Sequence, residues 1–563
     1  MGTISDKLMR IINTKEDIRQ ALISKGYDVP TSIPFKEYAK MISDLPCRVD
    51  SFPDIEGIVA RYSALGLTNE QMATNPVWVD KTGNGYDLQL KNFSWKGMSG
   101  VGGYGDENHQ TFYKFTLDDY VFIATPPGVK HMNFTFRVTG LQPGNKLTLA
   151  FLGTTNTVYG TWNKDGIYTV DADIVEAGKP TYFYNGYGAT RGEFTIEILP
   201  LYPGALVFDG VDDYGVCENF PILTKEKGYT VVALRQWIEE KNDSTALVSN
   251  CKNWNQDGAF LFEYNNLRIN FLNVAISFGH VSSVDRGKSP FSYQTSKLYN
   301  GKNIKPGSFI GSNELVVGKG NKDFPTVSNA AIWEIVILDH DATEEELTKI
   351  KDYFVKTYPW LFPDQAWTVV GKTNEDEDRA TIANITGNGN DLILSNFGFI
   401  EGSGYNEEGE YAGYLVTDGV DDKIISSIFK MGNDWTVIGD WELINTGKND
   451  NAGIVKFDSI VIYNYNYNYN SMLINIKKGR NILIPDQNTV NAICSDGRIY
   501  SKDWKESIYN EETESTSKNF LTIGYSGNAY TKIAFKNLAI YPTVLSREDC
   551  IKAYNYLQTL KAK

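Results

Sequence analysis

Acidic side chains are concentrated in two segments of almost identical sequence, residues 206–214 and 415–423. Each contains Asp-Gly-Val-Asp-Asp between two short apolar runs, a pattern typical of strand, tight turn and strand, with the glycine at positive φ. The six carboxylates are those of Asp209, Asp212, Asp213, Asp418, Asp421 and Asp422. Hard oxygen ligands in a turn suit calcium. The same side chains can instead accept hydrogen bonds from turn N–H groups, and the frequency of Asp-Gly turns favours that structural role.

Aromatic and amide side chains alternate in residues 463–470, where Tyr-Asn occurs four times in succession. As a strand, this segment would place its tyrosines on one face and its asparagines on the other. Exposed aromatic faces beside amide groups can bind sugars. The candidate glycan-binding residues are Tyr463, Tyr465, Tyr467 and Tyr469, with Trp254 in a separate loop. The alternative, which we favour somewhat, is that the tyrosines cover a sheet or a subunit interface.

The remaining reactive side chains form no catalytic pattern. The sequence lacks Gly-x-Ser-x-Gly, P-loop and dinucleotide-binding motifs. Its 4 histidines have no zinc-ligand spacing, and its 5 cysteines are far apart, as expected for reduced thiols of a protein made in a cytosol. We therefore predict that the protein is not an enzyme, has no catalytic residues and needs no cofactor, calcium being the one cation that suits the acidic turns.

The acidic turns belong to an internal duplication, and this repeat organises the chain. Residues 206–214 recur at 415–423, an offset of 209. Residues 82–93, which begin Thr-Gly-Asn-Gly, recur at 386–397, an offset of 304. The larger offset predicts an insertion of about 95 residues between Phe93 and Leu206 in the first copy.

The insertion has the alternating pattern of strands, for example at 133–138 and 193–198, and so predicts a β-sandwich of its own. Each copy of the repeat ends in a helix, opened by Thr343 with Glu346 and by Ser546. We predict a mainly β fold with four regions. They are a helical module at 1–46, a first jelly-roll sandwich at 58–105 and 201–363, an inserted β-sandwich at 106–200, and a second jelly-roll sandwich at 364–563.

Composition excludes several classes of partner. Aromatic residues at 13% and charged residues at 22% are typical of a folded protein rich in strands. A net charge of -15 and a pI near 5.0 argue against binding to nucleic acid or to an anionic membrane. The sequence has no apolar run of the roughly 20 residues that span a bilayer, and its N-terminus lacks the apolar region of a signal peptide.

Residues 1–46 have the spacing of three short amphipathic helices. Helices of this size bury little by themselves, so their apolar stripes need a partner protein or sister chains. The predicted interface residues are Ile4, Leu8, Ile11, Ile12, Ile18, Leu22, Tyr38, Met41, Ile42 and Leu45. We expect an anchor that assembles a homo-oligomer, most simply a trimer. A self-contained small bundle is the alternative.

The order of motifs in the repeat resembles that of the concanavalin A-like, laminin-G-like jelly rolls. A strand ending in Phe-Asp-Gly-Val-Asp-Asp-Tyr is followed by Tyr-Thr-Val-Val at 229–232, Leu-Val-Val-Gly at 315–318 and a strand entering an acidic-capped helix. The resemblance implies two-sheet antiparallel sandwiches, although the second copy departs from the pattern at Thr417 and Lys423. Glucanases of this fold carry Glu-x-Asp-x-Glu. The counterpart strand here, from Glu334 to Leu338, keeps one of those carboxylates.

The N-terminal segment, from Thr3-Ile-Ser-Asp-Lys-Leu to Pro34-Phe-Lys-Glu-Tyr-Ala, resembles the helical leader of virion proteins from phages that infect gut Bacteroidetes, including crAss-like phages. This resemblance implies a module that fastens the protein to a capsid or tail. With lectin-like domains, it implies a structural protein of a head or tail fibre or appendage, bound to other virion proteins and attaching to host-surface or mucosal glycans. A polysaccharide-degrading glycoside hydrolase, a bacterial surface carbohydrate-binding protein and a decoration without ligand are the alternatives.

Overall fold

The computed structural model describes most of the chain beyond residue 51. The described residues are 52–104, 112–115, 120–123, 131–141, 145–151, 157–163, 165–173, 181–185, 194–223, 226–239, 245–253, 257–263, 289–303, 312–320, 326–407, 411–427, 429, 432–444, 453–457, 460–465, 471–476, 480–484, 490–501, 504, 506–508, 521–526 and 529–562. The anchor residues predicted within 1–46 lie outside this set, as do Trp254, Tyr467 and Tyr469.

Antiparallel strands dominate the described residues, which confirms the prediction of a mainly β fold. Before the insertion come β1 Ile58–Ser63, β2 Val77–Trp78, β3 Leu88–Lys91 and β4 Gly100–Val101. The inserted strands are β5 Phe112–Phe115, β6 Tyr120–Ile123, β7 His131–Thr139, β8 Leu147–Phe151, β9 Thr157–Trp162, β10 Gly166–Asp173, β11 Thr181–Asn185 and β12 Phe194–Leu199.

The remaining strands follow the insertion in two series. The first is β13 Leu206–Asp209, β14 Tyr214–Cys217, β15 Thr230–Glu239, β16 Val248–Asn253, β17 Asp257–Phe262, β18 Phe291–Thr295, β19 Leu298–Tyr299, β20 Lys302–Asn303, β21 Leu315–Val317 and β22 Asn329–Leu338. The second is β23 Gln365–Thr368, β24 Thr381–Ile382, β25 Leu392–Ser395, β26 Gly404–Tyr405, β27 Leu415–Val416, β28 Lys423–Ser426, β29 Thr436–Leu443, β30 Gly453–Phe457, β31 Ile460–Tyr465, β32 Ser471–Ile476, β33 Arg480–Ile484, β34 Val490–Cys494, β35 Arg498–Ser501, β36 Glu506–Ile508, β37 Thr522–Ile523, β38 Tyr525–Ser526, β39 Ala529–Tyr530 and β40 Ile533–Tyr541.

The first sandwich consists of β1–β4 and β13–β22. One sheet has the order β20-β19-β18-β15-β22-β13-β4, with β1 also paired to β22, and the other has the order β17-β16-β21-β14-β3-β2. Their facing side chains, among them Trp78, Phe208, Phe260 and Ile335, form one core. Burial of this apolar area is the main force that holds the two sheets together.

The second sandwich, β23–β40, repeats this plan. One sheet has the order β26-β27-β40-β29-β34-β35-β36, with β23 also paired to β40, and the other has the order β24-β25-β28-β37-β30-β31-β32-β33. Strands β38 and β39 form a small separate pair. The core between the two large sheets contains Trp367, Leu394, Trp441 and Phe535.

The inserted sandwich, β5–β12, joins the first sandwich at a hairpin. Its strands form the sheets β10-β7-β12-β5 and β6-β11-β8-β9, and its core includes Phe134, Phe136 and Phe183. The insertion enters after β4 and leaves before β13, and these two strands are hydrogen-bonded neighbours. In the second sandwich the equivalent neighbours, β26 and β27, are separated by a short connection. The insertion therefore lengthens one surface loop, where extra chain is tolerated.

Three α-helices accompany the strands of the described part of the chain. They are α1 Asn69–Thr74, α2 Glu344–Thr357 and α3 Arg547–Gln558, and a 3₁₀ turn occupies Pro359–Leu361. Helix α2 begins with the predicted capping box, in which Thr343 and Glu346 bond each other's backbone N–H groups. Helix α3 begins with the predicted cap Ser546.

Helices α2 and α3 and the 3₁₀ turn fill a third core between the two repeats, the shared core. It combines Trp333 of β22, Trp360 of the 3₁₀ turn, Tyr541 of β40 and Tyr556 of α3. The rings of Trp333 and Tyr556 lie 6.4 Å apart, and the Tyr541 hydroxyl donates to the carbonyl of Trp360 at 3.0 Å. Both faces of β22 and β40 are consequently buried, which explains why both strands are mostly apolar.

Candidate functional site

The two acidic turns occupy equivalent positions. Each connects a strand of one sheet to a strand of the opposite sheet, β13 to β14 in the first sandwich and β27 to β28 in the second. Gly210 and Gly419 both have φ of +75°, as the sequence predicts. In each turn, one carboxylate oxygen from each aspartate lies within 4.8 Å of the other two, so either group could hold a cation.

In the first turn, hydrogen bonds from the backbone satisfy only part of the acidic cluster. The Asp209 side chain accepts from the N–H of Val211 at 2.7 Å, and Asp213 Oδ2 accepts from the N–H of Asp209 at 3.2 Å. Asp213 is fully buried, and the Ser99 side chain forms a hydrogen bond with it, as the equivalent Ser403 does with Asp422 in the second turn. Burial, followed by the neighbouring Asp209 charge, raises the pKa of Asp213 to about 8.

In the second turn, protein donors satisfy the equivalent atoms. Asp422 Oδ2 accepts from the N–H of Asp418 at 2.7 Å, and Asp422 Oδ1 accepts from the hydroxyl of Ser403 at 3.2 Å. Asp418 Oδ1 accepts from three successive turn N–H groups, the shortest of these bonds being 2.7 Å from Val420. Burial raises the pKa of Asp422 to about 6, a smaller increase than that of Asp213. The aspartates therefore accept hydrogen bonds from turn N–H groups, which is the structural role that the sequence favours. Metal binding by them stays a prediction.

The single carboxylate of the glucanase-like strand has a structural environment. Glu334 is fully buried and accepts hydrogen bonds from Arg61 at 3.2 Å and from the Tyr358 hydroxyl at 2.8 Å. Arg61 in turn donates to the Tyr353 hydroxyl at 2.9 Å. Burial raises the pKa of Glu334, and the Arg61 charge opposes that increase. The pair lies at the edge of the shared core, so Glu334 holds the fold together at this position.

The predicted tyrosine platform is only partly described. Tyr463 and Tyr465 lie on β31, which pairs with β30 and β32 inside its sheet. Tyr467, Tyr469 and Trp254 lie outside the described residues. The platform therefore stays a prediction.

A cavity of about 420 Å³ opens on the first sandwich, where sequence patterns predicted no site. It lies between the strands β18–β20 and helix α2. Its apolar lining consists of Phe291, Tyr293, Tyr299 and Leu347, and its polar lining consists of Arg235, Ser289, Asn300, Lys302, Glu344, Thr348 and Lys351. The volume falls in the range of about 300–1,000 Å³ typical of small-molecule sites.

Local sequence explains how these side chains converge. Asn300 and Gly301, both at positive φ, make the tight turn between β19 and β20, as Asn-Gly pairs commonly do. The Asn300 side chain also accepts from the N–H of Tyr293 at 2.8 Å, which fixes the hairpin. On α2 the lining positions 344, 347, 348 and 351 have the spacing of one helical face.

A buried ion pair supports the wall of the cavity. The Arg235 guanidinium donates to Glu263 at 2.8 Å and to the carbonyl of Ser289 at 2.7 Å. Glu263 also accepts from Trp237, at 2.7 Å, and from Ser292, at 2.6 Å. Burial alone would raise the pKa of Glu263, but the Arg235 charge and these hydrogen bonds hold it below its ordinary value. The pair thus stays ionised and fixes Arg235 at the cavity.

Sequence reasoning missed the cavity because its residues come from three distant segments, around 235, 289–302 and 344–351. Two local signals were present. Arg235 interrupts an otherwise apolar strand, and a charge at such a position needs a partner. The Asn-Gly pair at 300–301 is the strongest short hairpin signal. Neither signal identifies which helix packs over the hairpin.

Comparison with known proteins gives only distant likenesses. No protein-family model matches the chain, and no curated protein matches it significantly. Among solved structures, the Trypanosoma rangeli sialidase matches at 8% identity with a TM-score of 0.26, covering 50% of this chain and 44% of that one. The binding domain of Paraclostridial Mosquitocidal Protein 1 matches at 14% identity with a TM-score of 0.23, covering 34% of this chain and 51% of that one.

The botulinum neurotoxin type G receptor-binding domain matches at 12% identity with a TM-score of 0.21, covering 34% of this chain and 50% of that one. The chain thus spans about half the length of each of these three structures. TM-scores of this size carry no argument about function. No helix in the described part of the chain is both long and apolar enough to cross a membrane.

Proposed function

We propose that this chain is an attachment protein whose first sandwich binds an acidic glycan in the cavity between β18–β20 and α2. The observation that carries the proposal is the composition of the cavity lining. Aromatic side chains lie beside hydrogen-bonding and basic side chains around a space of about 420 Å³. Sugar rings pack their C–H faces on aromatic rings, while their hydroxyl groups need several donors and acceptors.

The aromatic part of the lining is held in place by neighbouring rings. Phe291 and Tyr293 have ring centroids 6.1 Å apart, and Phe291 also lies 6.1 Å from Phe354 of α2. Tyr299 is buried, and its hydroxyl donates to Glu263 at 3.0 Å. A lining that is already ordered costs little entropy when a ligand binds.

The charges of the lining favour an acidic sugar. Lys302 and Lys351 contribute two positive charges, against one negative charge from Glu344, while the charge of Arg235 is balanced by Glu263. This local excess occurs on a chain whose net charge is -15. A carboxylate or sulfate on a sugar would gain a charge-assisted hydrogen bond there, while the rest of the surface repels anions that lack such a match.

Binding without cleavage fits this lining better than hydrolysis does. Glycoside hydrolysis generally needs two carboxyl groups on either side of the scissile bond. Glu344 is the one carboxylate in the described lining, and Glu263 behind it is held by Arg235. We therefore propose that the protein binds glycans as lectins do, without cleaving them. Cleavage of the polysaccharide is one of the outcomes that the test distinguishes.

Display on a phage particle is the second part of the proposal. Its support is the resemblance of residues 1–46 to virion leader segments, together with the need of their apolar stripes for partners. A symmetric appendage with several copies would multiply a weak affinity for glycan. Failure of antibodies against the chain to label purified phage particles would overturn this placement.

The test is titration of the full chain with uronate-, sialate- and sulfate-bearing oligosaccharides, each beside its neutral counterpart. We expect saturable binding of at least one acidic sugar, and about tenfold weaker binding by Lys351→Ala, because a hydrogen bond to a charged group contributes about 1.5 kcal/mol or more. Tyr293→Ala should also weaken binding, through loss of the aromatic face.

Lys349→Ala is the matched control. Lys349 lies two residues away on α2, pairs with Glu345 at 2.8 Å and does not line the cavity. Its substitution should leave affinity unchanged. Equal loss in both lysine variants, equal binding of acidic and neutral sugars, or release of reducing sugar from the bound glycan would each contradict the proposal.

A further inference from the structure

Two of the buried cysteines meet in the shared core. Cys494 is the last residue of β34, and Cys550 lies in the first turn of α3. Both are buried as free thiols, and a hydrogen bond joins their side chains. The sequence separates the two residues widely, so only the packing of α3 on the sheet brings their sulfur atoms together.

One polar group of the sheet positions both thiols. The Thr436 hydroxyl lies 3.7 Å from Cys494 Sγ and donates to the carbonyl of Thr543 at 2.9 Å. It also accepts from the N–H of Leu545 at 2.9 Å. The Leu545 carbonyl in turn lies 4.0 Å from Cys550 Sγ. The hydroxyl and the segment that leads into α3 therefore fix the two sulfur atoms relative to each other.

The first copy of the repeat builds the same scaffold without sulfur. The Thr230 hydroxyl bonds the backbone before α2 in the same way, as donor at 2.7 Å and as acceptor at 2.7 Å. Thr295 lies opposite Thr230 across the strands, as Cys494 lies opposite Thr436. Leu347 is the fourth residue of α2, the position that the second cysteine holds in α3. The fold therefore forms at this place without thiols, and their pairing is a property of the second copy.

The surroundings make Cys494 the more reactive thiol of the pair. The hydrogen bond from Cys550 lowers the pKa of Cys494, Thr436 and the Arg498 charge act in the same direction, and burial opposes them. Burial raises the pKa of Cys550. The thiolate is the form of cysteine that attacks an oxidant, so Cys494 reacts first.

We propose that Cys494 and Cys550 form a disulfide when they meet a small hydroperoxide, and that this bond fastens α3 to β34. Arg498 donates to the Leu545 carbonyl at 3.0 Å, and 24% of its side chain is exposed, so the pair lies one side chain from solvent. Because both thiols are buried, the oxidant has to be small, and a bulky disulfide such as oxidised glutathione does not reach them.

The reaction balances with one molecule of hydrogen peroxide. The Cys494 thiolate attacks one peroxide oxygen, a sulfur–oxygen bond forms, the oxygen–oxygen bond breaks, and the hydroxide that leaves takes up the thiol proton as water. The Cys550 sulfur then attacks the Cys494 sulfur, the disulfide forms, the sulfur–oxygen bond breaks, and a second water leaves with the Cys550 proton. Two electrons pass from the sulfur atoms to the peroxide.

The bond would act on the shared core, because α3 fills it with Tyr556 and Leu557. A cross-link between the sheet and this helix restricts the unfolded chain and so stabilises the folded one. In a reducing cytosol the pair stays as thiols, and it closes after release into an oxidising medium. The proposal does not depend on glycan binding.

The experiment treats the reduced full chain with hydrogen peroxide, unfolds it in guanidinium, alkylates the free thiols and maps the peptides by mass. We expect three alkylated cysteines out of the 5, and a peptide pair that joins residues 494 and 550. The unfolding temperature should rise by about 2 °C or more, and dithiothreitol should reverse the rise.

Cys494→Thr and Cys550→Leu are the test variants, because each installs the residue that the first copy holds at the same place. Both should fold with an unchanged circular dichroism spectrum and lose the cross-link and the rise in temperature. Cys217→Ser is the matched control. Cys217 donates to the Asn219 side chain at 3.0 Å, which a serine hydroxyl also does, and this variant should keep the cross-link.

Three results would each overturn the proposal. They are alkylation of all 5 cysteines after peroxide treatment, a disulfide that involves any other cysteine in place of this pair, and an equal rise in unfolding temperature in Cys494→Thr.

Discussion

A buried ion pair supports the candidate glycan-binding cavity of this protein. Arg235 and Glu263 are almost completely buried, and the surrounding hydrogen bonds keep the pair ionised beside the cavity. Such a pair stabilises little relative to apolar residues, but removal of one partner leaves the other charge buried and uncompensated.

Glu263→Gln tests the role of the buried pair. We expect the variant to lose about 3–5 kcal/mol of unfolding free energy, because Arg235 would keep its charge without a counterion. Urea unfolding followed by tryptophan fluorescence measures the loss. Glu345→Gln is the control, since Glu345 forms an exposed pair with Lys349, and such pairs contribute less than about 1 kcal/mol. Similar losses in the two variants would contradict the assignment.

Glu263→Gln should also change how the unfolding free energy depends on pH. The pKa of Glu263 is lower in the folded chain than its ordinary value, so its contribution is complete above the unfolded pKa of about 4.3 and is lost as the pH falls through the folded pKa. Glu263→Gln should therefore be less sensitive to acid below about pH 4 than the natural chain. An unchanged slope of stability against pH would count against the ion pair.

At the scale of elements, helix α2 forms one wall of the cavity on the first sandwich. The capping box fixes where the helix begins, and that start places positions 344, 347, 348 and 351 over the hairpin of β19 and β20. The adjoining face of α2 buries Ile350 and Phe354 in the shared core, and Leu347 of the lining packs against the same core. The geometry of the cavity thus depends on a helix whose position is fixed by tertiary packing.

Thr343→Ala tests this dependence. Removal of the capping hydroxyl should lower the unfolding free energy by about 1 kcal/mol and also weaken glycan binding, because the start of α2 fixes the positions of Leu347 and Lys351 in the lining. Ser546→Ala is the matched control, since it removes the cap of α3, which does not line the cavity. It should cost similar stability and leave affinity unchanged. Equal effects of the two variants on affinity would contradict this role of α2.

At the scale of the whole molecule, the two repeats share a core and so are not independent domains joined only by a linker. The shared core contains side chains from both sandwiches, from α2 and α3, and from the inserted sandwich through Ile167. Gln236 of the first sandwich also bonds Thr559, just after α3, at 3.2 Å. We therefore expect the two repeats to unfold together, because separating them would expose this apolar surface to water.

Trp360→Ala tests the coupling. Trp360 is buried in the shared core, and its replacement by alanine should lower the unfolding free energy by about 3–5 kcal/mol. Calorimetry should show one transition for the two repeats in the natural chain and two in this variant. Trp367→Ala, in the second sandwich's own core, should lower the temperature of unfolding without splitting the transition. Separate transitions of the two repeats in the natural chain would contradict the coupling.

The sequence alone determined the features that depend on neighbours along the chain. Alternating apolar residues predicted a mainly β fold, Asp-Gly predicted two turns with glycine at positive φ, and Thr343 and Ser546 predicted helix starts. Each of these depends on backbone preferences and hydrogen bonds within a few residues, so a local pattern suffices.

Only the tertiary structure decided how equivalent residues differ in their surroundings. Asp213 and Asp422 occupy the same place in the repeat, yet their surroundings raise the pKa of Asp213 to about 8 and that of Asp422 to about 6. The cavity likewise unites segments more than 40 residues apart. Burial and the position of distant partners depend on packing between elements, which no short pattern encodes, and these quantities decide charge, ion binding and ligand recognition.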